Sequence, residues 1–298
     1  MSDALETFRG LQRVYDFPAR SGTVQTLVPR VKLFWSTEKT ERTPTLPNQS
    51  IVIMISGRKT AHLDGARINY DQDNYLVVSM PVPFECASDA TERDPLLGMS
   101  IDIDLPALNR FADIPGAVSP PATEEPTFLP PGLQPAPVDT ALSDAVRRLV
   151  RMLRSPSDTL ALGASTADEI VYHALKGTHG AALLALTRPA SQHARIARAI
   201  SRIHRGPART LAVDELATVA GMSVRSFHRA FKAATRKTPL QYIKIVRLSM
   251  AMSLLQSETR DVSAVARQVG YESGSQFSRE FKRHFHVTPT DVKARRQS

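Results

Sequence analysis

The chain has 298 residues, of which 42% are hydrophobic and 22% are charged, a composition typical of a globular protein with two domains. It excludes collagen-like and coiled-coil repeats, and we expect no transmembrane helix because no run of about 18 apolar residues occurs. The N-terminus has no apolar stretch of signal-peptide type, so a cytoplasmic location is predicted. The single cysteine, Cys86, excludes an internal disulfide and a multi-cysteine zinc site.

The positive charge is concentrated in the last third of the chain. Residues 1–189 contain 18 Lys and Arg against 22 Asp and Glu, a balance of −4. Residues 190–298 contain 20 against 7, a balance of +13, which exceeds the net charge of +9 for the whole chain. This asymmetry indicates a nucleic acid or another anionic surface as partner of the last third, and the simpler alternative is a solvated basic face.

Residues 21–105 have the pattern of a β-domain. An apolar, β-branched run occupies residues 51–55, and residues 99–105 alternate apolar and polar side chains. Asp64-Gly65 lies between two further runs and predicts a tight hairpin. Several short strands at close spacing predict a small antiparallel barrel or jelly roll.

A proline-rich segment and then helices follow. Eight prolines from Pro115 to Pro137 exclude a regular helix or a central strand and predict a linker or a wrapped loop. Residues 138–154 place apolar side chains on one face of an amphipathic helix, and shorter helices are predicted at 167–175 and 180–186. These helices form either a dimerisation face or the packing of the domain itself.

The last third contains an internal duplication, in which residues 216–232 recur as residues 265–282 with one inserted residue. Two copies make a duplicated supersecondary unit rather than a solenoid. The matched pairs are Ala217 and Ala266, Gly221 and Gly270, Phe227 and Phe277, Phe231 and Phe281, Lys232 and Lys282, and Thr238-Pro239 and Thr288-Pro289.

Each copy predicts a helix, a tight turn and a second helix. Gly221 and Gly270 supply the turns, because a left-handed backbone carries little strain without a Cβ. Ser223 and Ser273 are the predicted N-caps of the second helices, and Asp261 is that of the first helix in the second copy.

The second helix of each copy has an aromatic inner face, predicted to be core, and a polar outer stripe without acids, as a helix in a DNA major groove requires. A connecting helix over residues 240–256 holds the two copies about one DNA turn, roughly 34 Å, apart. The inner faces are Phe227 and Phe231, and Phe277 and Phe281, while the outer stripes are Arg225, His228, Arg229 and Lys232, and Ser275, Ser278, Arg279 and Lys282.

Two segments carry a family resemblance. Residues 192–296, approximately, resemble the AraC/XylS family of bacterial transcription regulators. The resemblance is carried by Arg247-Leu-x-x-Ala251-x-x-Leu-Leu255 and by Gly270-Tyr-Glu-Ser-x-Ser-Gln-Phe-Ser-Arg-Glu-Phe-Lys282. Residues 23–186 are similar to the subgroup with a cupin-like N-terminal domain, through Gly57-Arg-Lys, Tyr75-Leu-Val-Val-Ser79 and Leu175-Lys-Gly-Thr-His-Gly180. The resemblance implies an α+β protein: an N-terminal cupin-like β-barrel with a helical dimerisation segment, and a C-terminal all-α domain with two helix-turn-helix motifs.

We therefore divide the chain into a sensor domain at 1–114, a proline-rich linker at 115–137, a helical segment at 138–190 and a DNA-binding domain at 191–298. The two helix-turn-helix motifs fall at about 213–234 and 262–284. The implied function is a sequence-specific regulator, usually an activator, which binds promoter DNA and RNA polymerase. A small-molecule effector or homodimerisation would act through the N-terminal domain.

The resemblance assigns base contacts to six outer-stripe residues, namely Arg225, His228, Arg229, Ser275, Ser278 and Arg279. Lys232 and Lys282 end their helices facing outward and are expected to contact phosphates. For Arg229 and Arg279 the preferred role is guanine recognition, with a phosphate contact as the alternative. A solvated surface histidine is the alternative for His228.

Three positions depart from the family pattern. Arg236 and His286 stand where a glycine usually follows each second helix, and a residue other than glycine in a left-handed cap costs about 1 kcal/mol. Gly274 offers no side chain for base recognition, so the second copy is expected to contact fewer bases.

In the N-terminal part, Phe34, Trp35, Tyr70 and Phe84 are expected either to line an apolar effector pocket or to pack in the core. Cys86 is interpreted as a small buried hydrophobe rather than a redox sensor. His62 is the only histidine before His173, which argues against a three-histidine metal site, and we expect no cofactor.

Two other functions compete with a specific regulator. A cupin-type enzyme fused to a DNA-binding module is disfavoured by the missing histidine cluster, and no nucleophile elbow, phosphate loop or HExxH sequence occurs. A DNA-packaging protein would need spread-out basic charge rather than two matched helices. We therefore predict that the chain is not an enzyme.

Overall fold

The structure is a computed structural model that describes residues 2–15, 17, 21–63, 65–116, 132–206, 211–257 and 261–297. The chain divides into two compact units, formed for the most part by residues 1–189 and by residues 190–298. Over the described ranges, no helix combines the length and the apolar composition needed to cross a bilayer.

The first unit combines strands with helices. Its strands are β1 Ser21–Gln25, β2 Val31–Ser36, β3 Thr40–Thr45, β4 Ser50–Ser56, β5 Lys59–Leu63, β6 Ala66–Tyr70, β7 Asn74–Val78, β8 Phe84–Ser88, β9 Leu96–Asp102 and β10 Leu133–Pro137. Its helices are α1 Ser2–Tyr15, α2 Leu105–Ala112, α3 Thr140–Met152, α4 Pro156–Lys176 and α5 Gly180–Thr187.

The described strands form two sheets rather than the closed barrel that the resemblance implied. Six strands pair in the order β1-β2-β9-β4-β7-β10, and four in the order β3-β8-β5-β6. Strand β10 ends the larger sheet, because Pro135 and Pro137 have no N–H to offer a further strand. The first unit is therefore a sheet domain with open edges.

Two local β predictions are confirmed. The apolar run at 51–55 lies in β4, which is nearly continuously buried between β9 and β7. Strands β5 and β6 pair as the predicted hairpin, with Leu63 opposite Ala66 and Gly65 at φ 84°, while Asp64 lies outside the described residues.

The predicted strand at 99–105 is too long at its C-terminal end. Strand β9 ends at Asp102, and the Asp104 carboxylate accepts a hydrogen bond from the Ala107 backbone N–H at 3.1 Å to begin α2. An N-cap aspartate followed closely by proline favours a helix start over a longer strand.

The proline-rich segment is described only in part. Residues 117–131 lie outside the described residues, whereas residues 133–137 form strand β10 along β7. The observed strand is an edge strand, which the proline rule permits.

Of the helices after β10, α4 is much longer than predicted. Helix α3 begins after Asp139, whose carboxylate accepts from the Leu142 N–H at 2.8 Å. Helix α4 begins at Pro156 instead of Ala167 and ends at Lys176. Its C-cap is Gly177, where the predicted break lies. The Ser155 N-cap followed by a proline is the start signal that the apolar pattern alone did not show.

The part of the second unit formed by residues 190–298 is helical, without a strand among the residues that the structure describes there. Its helices are α6 Gln192–Arg205, α7 Val213–Ala220, α8 Val224–Thr235, α9 Pro239–Ser257, α10 Val262–Gln268, α11 Gly274–Phe285 and α12 Pro289–Gln297. Helix α9 is the predicted connecting helix, and Asp261 caps α10 as predicted by accepting from the Ser263 N–H at 3.3 Å.

Candidate nucleic-acid interface

The first helix-turn-helix joins α7 to α8 through a glycine turn. Gly221 adopts φ 62° and ends α7, and the Met222 N–H donates to the Ala217 carbonyl at 2.9 Å. The Ser223 hydroxyl then accepts from the Ser226 N–H at 3.3 Å and caps α8. The predicted turn and cap are both confirmed.

The second helix-turn-helix repeats this geometry between α10 and α11. Gly270 adopts φ 88°, and the Tyr271 N–H donates to the Ala266 carbonyl at 2.9 Å. The Ser273 hydroxyl accepts from the Gln276 N–H at 3.3 Å and caps α11. The duplicated sequence therefore produces a duplicated backbone structure.

The inner faces of α8 and α11, which we call the reading helices, are core as predicted. The rings of Phe227 and Phe231 lie 5.3 Å apart, and Tyr242 of α9 packs edge-on against Phe231 at 5.4 Å. In the second copy the rings of Phe277 and Phe281 lie 5.5 Å apart. All these rings are fully buried, so each reading helix presents its opposite face to solvent.

The outer stripe of α8 is free to bind a ligand. Arg225, His228, Arg229 and Lys232 are all exposed. Within the described part of the chain, none of these four side chains forms a hydrogen bond or an ion pair. A row of uncommitted donors on a helix supported from behind is the arrangement that major-groove recognition requires.

The outer stripe of α11 differs in its two serines. Arg279, Lys282 and Ser275 are exposed, and Ser278 is half-buried. The Ser278 hydroxyl donates to the Gly274 carbonyl at 2.9 Å, and the Ser275 hydroxyl lies 3.0 Å from the Ser273 hydroxyl.

Both reading helices end in a left-handed residue other than glycine. Arg236 adopts φ 59° and His286 adopts φ 61°, and their N–H groups donate to the carbonyls of Lys232 and Lys282. The backbone therefore keeps the conformation that the family's usual glycine would adopt, with a basic side chain at each place.

Two arginines that sequence reasoning missed hold the helix-turn-helix turns. The Arg195 guanidinium, from α6, donates to the Ala220 carbonyl at 2.8 Å and lies beside Gly221. The Arg247 guanidinium, from α9, donates to the Gly270 carbonyl at 3.2 Å. Each cation meets the carbonyl end of the helix that precedes a reading helix, where positive charge is favoured. Arg247 entered the sequence argument only as part of a family pattern, and no local pattern marks Arg195.

A carboxylate ties α11 to the connecting helix. Glu280 accepts from the Lys244 ammonium at 3.1 Å and from the Tyr271 hydroxyl at 2.9 Å. Burial alone would raise the pKa of Glu280, but the hydrogen bonds from Gln276, Tyr271 and Lys244 outweigh it and lower that pKa. The ionised carboxylate thus fixes the orientation of α11 against α9.

A partly buried histidine of α6 faces the connecting helix α9. His204 Nε2 lies 3.0 Å from the Tyr242 hydroxyl, and burial lowers the pKa of His204 to about 4. The imidazole is therefore neutral at physiological pH and serves the packing of these helices rather than the basic surface.

The four aromatic residues proposed for an effector pocket lie at different places on strands β2, β6 and β8. The Lys59 ammonium lies 4.9 Å from the centre of the half-buried Phe34 ring, while Trp35 stacks on Phe17 at 3.9 Å. Since Phe34 and Trp35 are neighbours in a strand, they point to opposite faces of the sheet.

The remaining two are buried in the smaller sheet. Tyr70 is 3% exposed and its hydroxyl lies 3.3 Å from the Cys86 sulfur, and Phe84 is also buried. Cys86 is a buried residue, as predicted. Among the described residues, no group of three or more histidine, cysteine or acidic side chains is placed to hold a metal ion.

The first unit also contains an open cleft of about 750 Å³. It is lined by residues of α1, β4, the β6–β7 turn and α3, and none of the four aromatic residues contributes to it. Its charged lining residues are Asp73, Asp139, Asp144, Arg147, Arg151 and Arg154.

A helical unit with two capped reading helices, joined in one chain to a sheet domain, defines a helix-turn-helix DNA-binding protein. Residues 27–182 match the family model described as the AraC-type transcriptional regulator N-terminus, and residues 216–295 match that of a helix-turn-helix domain. The chain belongs to the AraC/XylS family of transcription regulators and combines an AraC-type N-terminal domain with a helix-turn-helix domain.

Two curated relatives each match about a third of the chain. The chain is 34% identical over 100 residues to the HTH-type transcriptional regulator AlkR of Acinetobacter baylyi, covering 34% of this chain and 33% of AlkR. It is 34% identical over 103 residues to the RCS-specific HTH-type transcriptional activator RclR of Escherichia coli, covering 35% and 36%. The matched part spans about a third of the length of each relative.

The fold is similar to that of ToxT from Vibrio cholerae, in a crystal structure with an unsaturated fatty acid bound. The TM-score is 0.62 over 88% of this chain and 94% of ToxT, with 10% sequence identity. At this identity the likeness concerns the fold alone.

Proposed function

We propose that the chain binds a specific promoter sequence by placing α8 and α11 in two adjacent major-groove segments, and that it activates transcription from there. The observation that carries this proposal is the pair of reading helices, each with a buried aromatic face and an exposed stripe of basic and hydroxyl side chains without acids. The +13 balance of residues 190–298 adds long-range attraction to DNA.

The proposed contacts divide into two kinds. Base edges are within the proposed reach of six residues, which need not discriminate equally between base pairs, namely Arg225, His228, Arg229, Ser275, Ser278 and Arg279. Phosphates are contacted by Lys232 and Lys282, which supply affinity and register but little sequence information. Activation, with RNA polymerase as the protein partner, is supported by the activator function in the name of the relative RclR.

Regulation is proposed to act through the first unit, by an effector or by homodimerisation. The open cleft, with carboxylates and guanidinium groups along α3, suits a polar effector. The cupin-like origin of the sheet domain is part of this proposal. For homodimerisation, α4 offers Leu160 and Leu162, which are 70% and 52% exposed.

Genome-wide mapping of bound sites by chromatin immunoprecipitation in the host, with transcript profiling of a deletion strain, tests the proposal. We expect a few sharp sites that share a motif of two elements about one helical turn apart, beside genes whose transcripts fall in the deletion strain. Broad occupancy without a motif would contradict specific recognition. Rising transcripts beside sharp sites would contradict activation alone.

A further inference from the structure

We infer that the two reading helices divide DNA recognition between them: α8 selects the base sequence, and α11 chiefly holds the phosphate backbone. This inference rests on the proposed function, because it takes both helices to lie in the major groove. The outer stripes of the two helices can be compared position by position, because corresponding residues are 50 apart in sequence. The first pair is Arg225 and Ser275, and the last is Lys232 and Lys282.

The stripe of α8 carries long side chains with free hydrogen-bonding groups. Arg225, His228 and Arg229 are exposed, and among the residues that the structure describes they have no polar partner. A guanidinium fork matches guanine O6 and N7, and an imidazole ring carries two nitrogens that can hydrogen-bond to a base edge. Each of these three side chains is therefore able to discriminate between base pairs.

At the corresponding positions of α11, serines replace Arg225 and His228. The Ser278 hydroxyl has a single hydrogen, and it donates that hydrogen to the Gly274 carbonyl of its own helix at 2.9 Å. The Ser275 hydroxyl lies 3.0 Å from the N-cap hydroxyl of Ser273. These oxygens sit directly on Cβ, so they reach less far into a groove than a guanidinium does.

The N-terminal end of α11 is also poor in groups that read bases. A recognition helix contacts base edges chiefly through its N-terminal residues. Gly274 lies there with no side chain, and a Cβ built on it would meet nothing within 4 Å. The amide of Gln276, which would suit adenine, donates instead to the Glu280 carboxylate at 3.2 Å. The outward-facing side chain of Arg279 is long, and among the described residues its hydrogen-bond donors have no partner.

The positive charge of α11 lies toward its other end. Lys282 and Arg283 are exposed in its last turn, and the position of Arg283 is occupied by Ala233 in α8. Cations at the C-terminal end of a reading helix are placed for the phosphates that border the groove, and phosphate contacts bind all sequences similarly. Helix α11 thus supplies chiefly affinity and register: of its three proposed base contacts, that of Arg279 selects a base pair, whereas those of Ser275 and Ser278 discriminate little.

The operator should accordingly contain one well-defined element and one loosely defined element. A wrong base pair in the element bound by α8 should weaken binding roughly 5- to 150-fold. In the element bound by α11, changes away from the base pair contacted by Arg279 should weaken it less than about 3-fold.

Selection of bound sequences from a random DNA library by the full-length protein tests the inference. We expect several defined base pairs in one element and about one in the other. Two equally defined elements would overturn the inference and leave the proposed function standing. A library without any enriched sequence would overturn the proposed function itself, and with it the inference.

Two matched double variants assign the elements to the helices. Ser275→Arg with Ser278→His gives α11 the side chains of α8, and it should add defined base pairs to the loose element. Arg225→Ser with His228→Ser makes the converse change in α8, and it should erase defined base pairs from the other element. Far-UV circular dichroism checks that both variants stay helical. Selected sequences identical to those of the wild type in both variants would overturn the inference.

Discussion

Acid should loosen the second unit through His204, a partly buried residue of α6 that faces Tyr242 of α9. The imidazole lies 3.0 Å from the Tyr242 hydroxyl, and burial lowers its pKa from 6.5 to about 4. In the unfolded chain the ring titrates near its ordinary value. Because the folded pKa is the lower one, the neutral ring stabilises the fold fully above about pH 6.5, and this stabilisation is lost as the pH falls toward about 4.

The two pKa values set the size of the effect. At about 1.4 kcal/mol for each pKa unit, a gap of about 2.5 units corresponds to about 3.5 kcal/mol, of which about 2 kcal/mol falls between about pH 7.5 and about pH 5. The assay is urea unfolding followed by far-UV circular dichroism across that range. The matched control is His204→Gln, which keeps a hydrogen-bonding group toward Tyr242 but does not titrate.

We expect the free energy of unfolding of the wild type to fall by about 2 kcal/mol more than that of the variant over this range. The difference between the two proteins is the informative quantity, because burial and the charges of His286 and Lys237 also lower the pKa of His284. That second histidine makes both proteins less stable in acid. Parallel pH curves for wild type and variant would refute the role of His204.

Three further predictions concern the turns, the phosphate contacts and the dimer. Replacing Arg195 or Arg247 with methionine should lower the free energy of unfolding by about 1–2 kcal/mol in urea, because a charge-assisted bond to a helix-end carbonyl is lost; full stability in both variants would contradict that role. Lys232→Ala should reduce the slope of log affinity against log salt by about 0.9, measured by fluorescence anisotropy, and an unchanged slope would exclude a phosphate contact. Leu160→Asn should weaken a dimer in sedimentation equilibrium without lowering the melting temperature, since Leu160 is 70% exposed, and an equally tight dimer would exclude α4 as the interface.

The second unit was predictable because its determinants are local and occur twice. A glycine turn needs only Gly221 or Gly270, and an N-cap needs only Ser223 or Ser273, so each signal lies within a few residues of its effect. The aromatic inner faces follow from helical spacing alone. Because the same signals occur twice at a fixed offset, each of them identifies a helix-turn-helix more specifically than a single occurrence would.

The contacts that sequence reasoning missed are long-range. Arg195 reaches the carbonyl of Ala220 from a different helix, and no pattern within α6 marks it. The strand order of the larger sheet places β9 between β2 and β4, far from its neighbours in sequence. The start of α4 was different, because Ser155 and Pro156 gave a local signal that the apolar pattern hid.

The left-handed residues that end the reading helices bear on how each helix is stabilised. A side chain in this conformation costs about 1 kcal/mol relative to glycine. A cation at a helix C-terminus recovers about 0.3–1 kcal/mol through the helix dipole, and Arg236 places one at the end of α8. The departure from glycine therefore leaves the first reading helix nearly as stable as the family pattern would.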